Sequence, residues 1–208
     1  MLYRSLAAAV CVSAGSGYTR VMGPATTVHV ACFPGSFDPP TFGHLDVVER
    51  GRKLFDRIVV GVGQNPDKDT LFAPDERLEM VRQLVADLVK RQPIGASVDV
   101  MGYTGLTVDF ARSQGALVLL RGIRNLSDLQ YEIQQALTNR EVAGLETAFV
   151  VAGQTLAYTS STLIRQITAL GDDLSVLAPM VPAPVIERLK AKRAQNPVSL
   201  RRIAEGAL

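Results

Sequence analysis

The feature that most restricts the fold of this sequence is the regular alternation of strand-like and helix-like runs from Thr27 onward. Two strand-like runs, Ile58-Val59-Val60 and Leu117-Val118-Leu119-Leu120, are apolar at every position, which is typical of parallel strands covered on both faces. Parallel neighbours are joined by crossover connections, usually helices. We therefore predict an α/β domain in which a doubly wound, parallel, five-stranded sheet carries helices on both faces.

The predicted elements fill this region without long gaps. The strands are predicted at Thr27–Phe33, Arg57–Val62, Ser97–Met101, Ala116–Leu120 and Glu146–Val151, and the helices at His44–Phe55, Asp75–Val89, Leu106–Gln114, Ser127–Val142, Ser160–Leu170 and Val185–Arg193. Ligands of doubly wound sheets bind beyond the carboxyl ends of the strands. The strand-to-helix loops are therefore the candidate walls of a functional site.

Length and composition predict one domain with two extensions. The chain has 208 residues, 47% hydrophobic and 20% charged, with a net charge of +2, so a small anionic ligand fits it better than nucleic acid. We expect a single domain over residues 28–193. Residues 1–27 break the periodic pattern and are predicted to be a disordered or mis-annotated extension, with Met22 as an alternative start. Residues 194–208 are expected to form a tail that is disordered or covers a subunit contact.

Cysteine content and hydropathy bear on location. The two cysteines, Cys11 and Cys32, form neither a disulfide framework nor a metal cluster, and Cys32 is predicted to be a buried structural thiol. The run Leu6–Val12 after Arg4 resembles a weak signal peptide, but it is short, and the sequence contains no membrane-spanning run. We expect a cytoplasmic protein without a membrane partner.

The first candidate site is the segment Val30–His44, in which a strand-like run is expected to break at Pro34-Gly35 before a helix opens near Gly43-His44. Backbone N–H groups at a helix start, together with the helix dipole, favour an anion. Ser36 adds a hydroxyl, and the His44 side chain can donate to a phosphate oxygen. This segment predicts chemistry at a phosphate.

Three further loops supply cations and hydroxyls. Lys68 follows the second strand, and either reaches a phosphate or remains a solvated surface lysine. Arg121-Gly122-Ile123-Arg124 is expected directly after the fourth strand, and its arginines suit a polyphosphate, with ion pairs to Asp128 or Glu132 as the alternative. The run Tyr158-Thr159-Ser160-Ser161-Thr162 opens a helix, where Ser160 is expected to be the N-cap.

These loops contain donors and cations but no evident nucleophile, no paired acids and no Ser-His-Asp arrangement. Phosphoryl or nucleotidyl transfer needs little covalent participation by the protein, because positioning and charge stabilisation supply most of the acceleration. The sequence therefore favours this reaction class.

These motifs, in this order, resemble the phosphopantetheine adenylyltransferase family. The resemblance rests on Pro34–Pro39, Thr41–His44, Asn65-Pro66 with Lys68, Arg121–Arg124 with Asp128 and Tyr131-Glu132, and Ser160–Thr162, and it extends from about Val28 to Lys192. It implies a Rossmann-like fold and transfer of the adenylyl group of ATP to 4'-phosphopantetheine, giving 3'-dephospho-coenzyme A and pyrophosphate. It also implies Mg²⁺ as cofactor, coenzyme A as a feedback ligand, and a homohexamer.

The resemblance assigns roles to individual residues. His44 would stabilise the transition state as the central catalytic residue, with Lys68 and Arg124 beside it. The acceptor would be bound by Ser36, Lys68, Thr107 and Arg121. The residues implied for ATP are Ser36, Phe37, His44, Gly122, Ile123, Arg124, Glu132, Leu156, Ala157, Tyr158, Thr159, Ser160, Ser161 and Thr162. No protein side chain is predicted to hold the metal, since Mg²⁺ would be held largely by substrate oxygens.

Two alternatives stay open at the level of sequence. One is another adenylyl- or cytidylyltransferase of the same superfamily, because the Gly43-His44 site does not by itself choose the acceptor. The other is a catalytically silent nucleotide-binding regulator that keeps the fold. The intact His44, Lys68 and Arg124 count against the regulator.

Overall fold

The computed structural model describes residues 28–65 and 69–195. In these residues the elements alternate as predicted from the sequence. The strands are β1 Val30–Gly35, β2 Arg57–Gly63, β3 Ser97–Tyr103, β4 Val118–Ile123 and β5 Glu146–Val151; the helices are α1 Phe42–Gly51, α2 Pro74–Arg91, α3 Thr107–Ser113, α4 Leu126–Ala143, α5 Ser161–Leu170 and α6 Ala183–Gln195. Short 3-10 turns lie at Gln154–Leu156 and Leu174–Leu177.

The described strands form one parallel sheet in the order β3-β2-β1-β4-β5. The chain adds strands on one side of β1 and then on the other, so the sheet is doubly wound, as predicted. The direction of winding reverses between β1 and β4, and a ligand crevice is expected at that reversal.

Alternate side chains of the strands enter two separate cores. In β1, Ala31 and Phe33 pack with side chains of α1 and α2, whereas Val30 and Cys32 pack with α3 on the opposite face. Both faces of the central strands are therefore buried, which explains why the sequence of β2 is apolar throughout. A third cluster joins α5, α6 and the amino-terminal half of α2 through Ile164, Leu177, Leu189 and their neighbours.

Cys32 is fully buried in the sheet, in agreement with the structural role predicted for it. Burial raises the pKa of this thiol to about 12, because the thiolate would lose its hydration. A thiol that stays protonated is a weak nucleophile, so Cys32 serves packing.

Several predicted boundaries are wrong. β1 does not break at Pro34-Gly35 but continues through both residues, which pair with Gly61 and Val62 of β2. Likewise Arg121, Gly122 and Ile123 do not follow the fourth strand; they belong to β4, because each pairs with a residue of β5. In both strands, pairing to a neighbour extends the strand beyond the point at which local turn residues suggested an end.

Two smaller corrections concern α1 and β4. Helix α1 begins at Phe42 and ends at Gly51, whereas the sequence predicted His44–Phe55. Thr41 is its N-cap, and this places His44 in the first turn. Leu117, predicted to be buried within the fourth strand, precedes β4 and is 49% exposed.

Among the residues that the structure describes, no helix is both long enough and apolar enough to cross a bilayer.

Gly122 is required by helix packing. A Cβ atom built on Gly122 would lie 2.6 Å from Cγ2 of Val47 on α1, closer than real Cβ contacts allow. The absence of a side chain lets the middle of α1 lie directly on β4.

We expect Gly122→Ala to lower the free energy of unfolding by about 1–3 kcal/mol, because the added methyl group overpacks this contact. Urea titration measures the change. Gly153→Ala is the matched control, since its Cβ would make only ordinary contacts, the nearest at 3.5 Å, and it should leave the stability nearly unchanged. The Gly122→Ala loss should shrink in a Val47→Ala background; equal losses in both backgrounds would refute the contact as its cause.

Candidate active site

Two cavities meet at the carboxyl ends of the strands. The first, of about 570 Å³, lies between β2, β3 and α4, and the second, of about 470 Å³, lies over the start of α1 and α5. Both are lined by Pro34, Gly35, Ser36, Arg121, Tyr131 and Glu132. The volumes are those of small-molecule sites, so the geometry suits two ligands that touch at this shared boundary.

The boundary lies where β1 and β4 separate. These strands pair only at Ala31 with Val118 and at Cys32 with Leu119. Beyond Cys32, the Arg121 side chain donates from Nη1 to the Pro34 carbonyl oxygen at 2.9 Å. The separation opens a crevice that a regular ladder would have closed.

His44 is fixed in one tautomer by the cap of α1. The backbone N–H of Thr41 donates to Nδ1 of His44 at 3.0 Å, and the Thr41 hydroxyl accepts from the His44 backbone N–H at 3.3 Å. Because Nδ1 accepts a hydrogen bond, the neutral ring carries its proton on Nε2. His44 lines the second cavity and can donate there from Nε2.

The surroundings of His44 disfavour its charged form. Burial, followed by the positive charges of Arg124 and Arg121, lowers the pKa of His44 to about 4. The ring is therefore neutral at physiological pH and acts as a hydrogen-bond donor without a net charge.

Arg121 is paired with a carboxylate across the shared boundary. Its Nε and Nη2 donate to the two carboxylate oxygens of Glu132 at 2.7 and 2.5 Å. Glu132 is buried, and the bidentate pair compensates both charges. Burial opposes the charge on Arg121, but the pair with Glu132 prevails and raises the pKa of Arg121.

Arg124 is paired in the same manner. Its Nε and Nη2 donate to Asp128 at 2.7 and 3.0 Å, and Nη1 donates to the Thr159 carbonyl oxygen at 2.6 Å. The alternative considered for both arginines, ion pairing to Asp128 or Glu132, is thus what the structure contains. Phosphate oxygens would have to compete with these carboxylates for the guanidinium donors.

The hydroxyl groups at the start of α5 have separate roles. Ser160 is the N-cap, as predicted, and its Oγ accepts from the Leu163 N–H at 3.1 Å. Ser161 donates to the Pro39 carbonyl oxygen at 2.8 Å, which joins α5 to the β1–α1 loop. These residues line the second cavity together with Thr159 and Thr162.

The remaining predicted residues divide between the cavities, the core and the surface. Thr107 lines the first cavity, where its hydroxyl lies 2.8 Å from that of Tyr103. Gly122 and Ser36 line the second cavity. Lys68 lies outside the described residues.

The Phe37 side chain does not line either cavity but is 2% exposed and packs 4.9 Å from the His44 ring, centroid to centroid. Phe37 has φ of 49°, a left-handed conformation unusual for a bulky residue, and this packing holds it there. Among the described residues that line the two cavities, we also do not find Ile123, Leu156, Ala157 or Tyr158. Ile123 is buried, and Tyr158 is exposed.

Sequence reasoning missed Arg165, which lines the second cavity from α5. Its Nη1 donates to the Asp38 carbonyl oxygen at 2.6 Å, and its buried Nε has no hydrogen-bond partner in the described part of the chain. The sequence contained a signal for Arg165, because a residue one turn after Ser161 lies on the same face of the helix as the hydroxyl groups at its start.

Arg77 was missed as well, although it lies in the same helical stripe as Met80, Val81 and Leu84, where an apolar residue would be usual. It is 1% exposed, and it lines the first cavity. An arginine on the buried face of an amphipathic helix is the sequence signal that identifies it.

Comparison with known proteins agrees with this geometry. A family model described as cytidylyltransferase-like matches residues 32–167. Phosphopantetheine adenylyltransferase of Rhodopirellula baltica is 45% identical over 166 residues, covering 79% of this chain and 89% of that protein. The enzyme of the same name from a Nocardioides species is 44% identical, covering 79% and 97%.

The fold is shared more widely. The nicotinic acid mononucleotide adenylyltransferase of Plasmodium falciparum, solved in complex with NaAD, superposes with a TM-score of 0.60 at 14% identity, covering 80% of this chain and 97% of that one. This likeness shows a common fold, whereas the sequence matches show the family. On their length and identity, the chain belongs to the phosphopantetheine adenylyltransferase family.

Proposed function

We propose that this chain transfers the adenylyl group of ATP to 4'-phosphopantetheine, giving 3'-dephospho-coenzyme A and pyrophosphate. A phosphate oxygen of the acceptor attacks the α-phosphorus of ATP, the bond from that phosphorus to the oxygen bridging the β-phosphorus breaks, and pyrophosphate leaves with the bonding electrons. The observation that carries this proposal is the meeting of two substrate-sized cavities at Ser36, Arg121 and Glu132.

The first cavity is proposed for the acceptor. Tyr103 and Thr107 line it, and so does Arg121 at the shared boundary. A pantetheine arm beside Tyr103 and Thr107 would bring its phosphate to Arg121, with Lys68 proposed as the second cation. Two anions must come together here, and the cations offset their repulsion.

The second cavity is proposed for ATP. Gly122, Arg124, Thr159, Ser160, Ser161 and Thr162 line it, and Arg165 adds a cation that the family resemblance did not supply. Phe37, Ile123, Leu156, Ala157 and Tyr158 would act on ATP indirectly, by shaping the segments that line the cavity.

His44 is proposed to donate from Nε2 to a non-bridging oxygen of the α-phosphate. Charge grows on these oxygens during displacement, and a donor that is already oriented stabilises it without reorganisation. The cap of α1 supplies that orientation through Thr41. His44 therefore stabilises the transition state and transfers no proton.

Mg²⁺ is proposed as part of the ATP complex. In the part of the chain that the structure describes, no three acidic, histidine or cysteine side chains come together to hold a metal ion. The carboxylates of Glu132 and Asp128, which line the second cavity, are bound to arginines. A hard divalent ion would be held by phosphate oxygens, where it neutralises part of the triphosphate charge.

A homohexamer is proposed on the basis of an apolar surface on α4 and β5. Ile133 and Leu137, which are four residues apart and share one face of α4, are 42% and 51% exposed, and Phe149 and Val151 of the edge strand β5 are exposed as well. Apolar side chains gathered on one surface mark protein contacts. A cytoplasmic location, with feedback by coenzyme A at the acceptor cavity, belongs to the same proposal.

The reaction itself is tested by pyrophosphate release with Mg²⁺-ATP and 4'-phosphopantetheine, beside nicotinamide mononucleotide as a rival acceptor. We expect release with phosphopantetheine only. Turnover with the rival acceptor alone would assign the chain to another adenylyltransferase. Tight ATP binding without turnover of either acceptor would indicate a regulator.

His44→Ala should reduce kcat by about 10²–10³-fold with a small change in KM, because the lost hydrogen bond forms fully only in the transition state. His44→Gln, whose amide nitrogen reaches toward the position of Nε2, should retain more activity than His44→Asn, whose side chain is one methylene group shorter. Steady-state kinetics of the three variants check the order. Equal activity of the Gln and Asn variants would contradict a role of Nε2.

The lowered pKa of His44 predicts a pH dependence. The folded chain keeps this ring neutral down to about pH 4, whereas the unfolded chain protonates it near pH 6.5, so stability should fall as the pH drops through this window. Nitrogen-15 spectra of histidine-labelled protein should show the Nε2–H tautomer from pH 5 upward. His44→Gln assigns the signal, and a ring that titrates near pH 6.5 would contradict the prediction.

The oligomer is tested by light scattering after size exclusion, with an expected mass six times the 22.4 kDa of one chain. Leu137→Asp should reduce the mass, because a charge would enter the proposed contact. Val176→Asp, at an apolar residue that is 54% exposed outside α4 and β5, should not change it. Equal masses of the Leu137 variant and the unaltered chain would remove this surface from the contact.

A further inference from the structure

Arg77 is a buried arginine whose known partners are carbonyl groups. It lies near the start of α2 and is 1% exposed. An arginine buried to this degree loses its hydration and needs several hydrogen bonds in return.

The guanidinium joins three segments of the chain. Nε donates to the Phe72 carbonyl oxygen at 3.2 Å, and Nη1 donates to those of Ser36 at 2.5 Å and Gly63 at 2.8 Å. Gly63 ends β2 and Phe72 lies just before α2, so these residues flank the β2–α2 loop. One side chain therefore fixes both ends of that loop to the β1–α1 loop.

Asp38 makes a second connection between the same loops. Its carboxylate accepts from the backbone N–H groups of Leu71 and Phe72, both at 2.9 Å, and the side chain is buried. Arg165 lies 3.8 Å from the same carboxylate, from Nη1 to Oδ2. The negative charge of Asp38 is thus set between donors on one side and a cation on the other.

The joined segments are walls of the site. Gln64, Asn65 and Thr70 line the first cavity, and Ser36 lines both cavities. The bonds of Arg77 therefore connect the wall of the acceptor cavity to Ser36 at the shared boundary of the two cavities. A shift of this wall by about 1 Å is enough to reduce a displacement reaction by about 10²-fold.

We propose that Arg77 is a positioning residue for the acceptor, acting through the Ser36, Gly63 and Phe72 carbonyl groups to set the acceptor cavity against the ATP cavity. This rests on the proposed function, in which the first cavity takes the acceptor. Of the residues whose carbonyl groups Arg77 binds, Gly63 lines the first cavity alone and Ser36 lines both, whereas α5 and Arg124 of the ATP cavity are held by other contacts. Loosening it should therefore affect the acceptor first.

The test compares Arg77→Lys with Arg52→Lys. Arg52 is a matched control: it is also buried, and it also donates to carbonyl oxygens, those of Ala96 at 2.9 Å and Gln92 at 2.6 Å. Those carbonyls lie at the amino ends of the strands, away from both cavities. In each variant an ammonium group keeps the charge but cannot span the carbonyls as a planar guanidinium does.

We expect Arg77→Lys to raise KM for phosphopantetheine at least 10-fold, while ATP affinity, measured by calorimetry without acceptor, stays within 3-fold. Arg52→Lys should lower the melting temperature yet leave both constants unchanged. An unchanged acceptor KM in Arg77→Lys, or an equal loss of ATP affinity, would overturn the proposal, as would an equal kinetic effect of Arg52→Lys.

Hydrogen exchange separates this proposal from the proposed function. Peptides containing the Leu71 and Phe72 amides should exchange faster in Arg77→Lys than in the unaltered chain or Arg52→Lys, and unchanged exchange there would overturn the positioning role whatever the kinetics. Failure of the unaltered chain to turn over phosphopantetheine would overturn the proposed function and, with it, the acceptor role of Arg77. Both proposals are supported if the unaltered chain turns over phosphopantetheine and Arg77→Lys shows faster exchange together with a raised KM for that acceptor.

Discussion

The separation of β1 from β4 is the constraint on which the site depends. β1 stays paired with β2 as far as Gly35, and β4 stays paired with β5 as far as Ile123, but β1 and β4 pair only at Ala31 with Val118 and at Cys32 with Leu119. The crevice this leaves needs donors for carbonyl groups that a ladder would otherwise satisfy. Arg121 meets that need at Pro34, so the cation that closes the gap in the ladder also stands at the boundary of the two cavities.

Arg121 and Arg124, the two described arginines at the carboxyl end of β4, are already held by protein groups in the structure. Arg121 and Arg124 each bind a carboxylate, and burial of an unpaired arginine would be costly. A ligand phosphate therefore exchanges one anion for another, and binding depends on the difference between them. Burial, and then the charges of the two arginines, disfavour the charged form of His44, so the site places a neutral donor where a third cation would be repelled.

The sequence predicted what depends on local pattern and missed what depends on distant partners. The apolar run Ile58–Val60 could only be a buried strand, and Ser160 could be recognised as an N-cap from its place before an amphipathic run. The continuation of β1 through Pro34 and of β4 through Ile123 is decided by neighbours distant in sequence. Phe37 has a left-handed backbone and its ring packs against His44, a geometry that no local pattern predicts.

Arg77 and Arg52 show why the position of a buried arginine in an α/β sheet decides what it does. Both satisfy backbone carbonyl groups in segments that have left the regular ladder. At the amino ends of the strands such a segment only has to be stable, so a poorer donor there lowers stability without changing the site. At the carboxyl ends the loops must stay irregular in order to line a cavity, yet remain fixed to within a fraction of an ångström for in-line displacement. A planar, permanently charged group with donors in fixed directions meets both conditions at once, because it holds several carbonyls in one geometry without forming secondary structure.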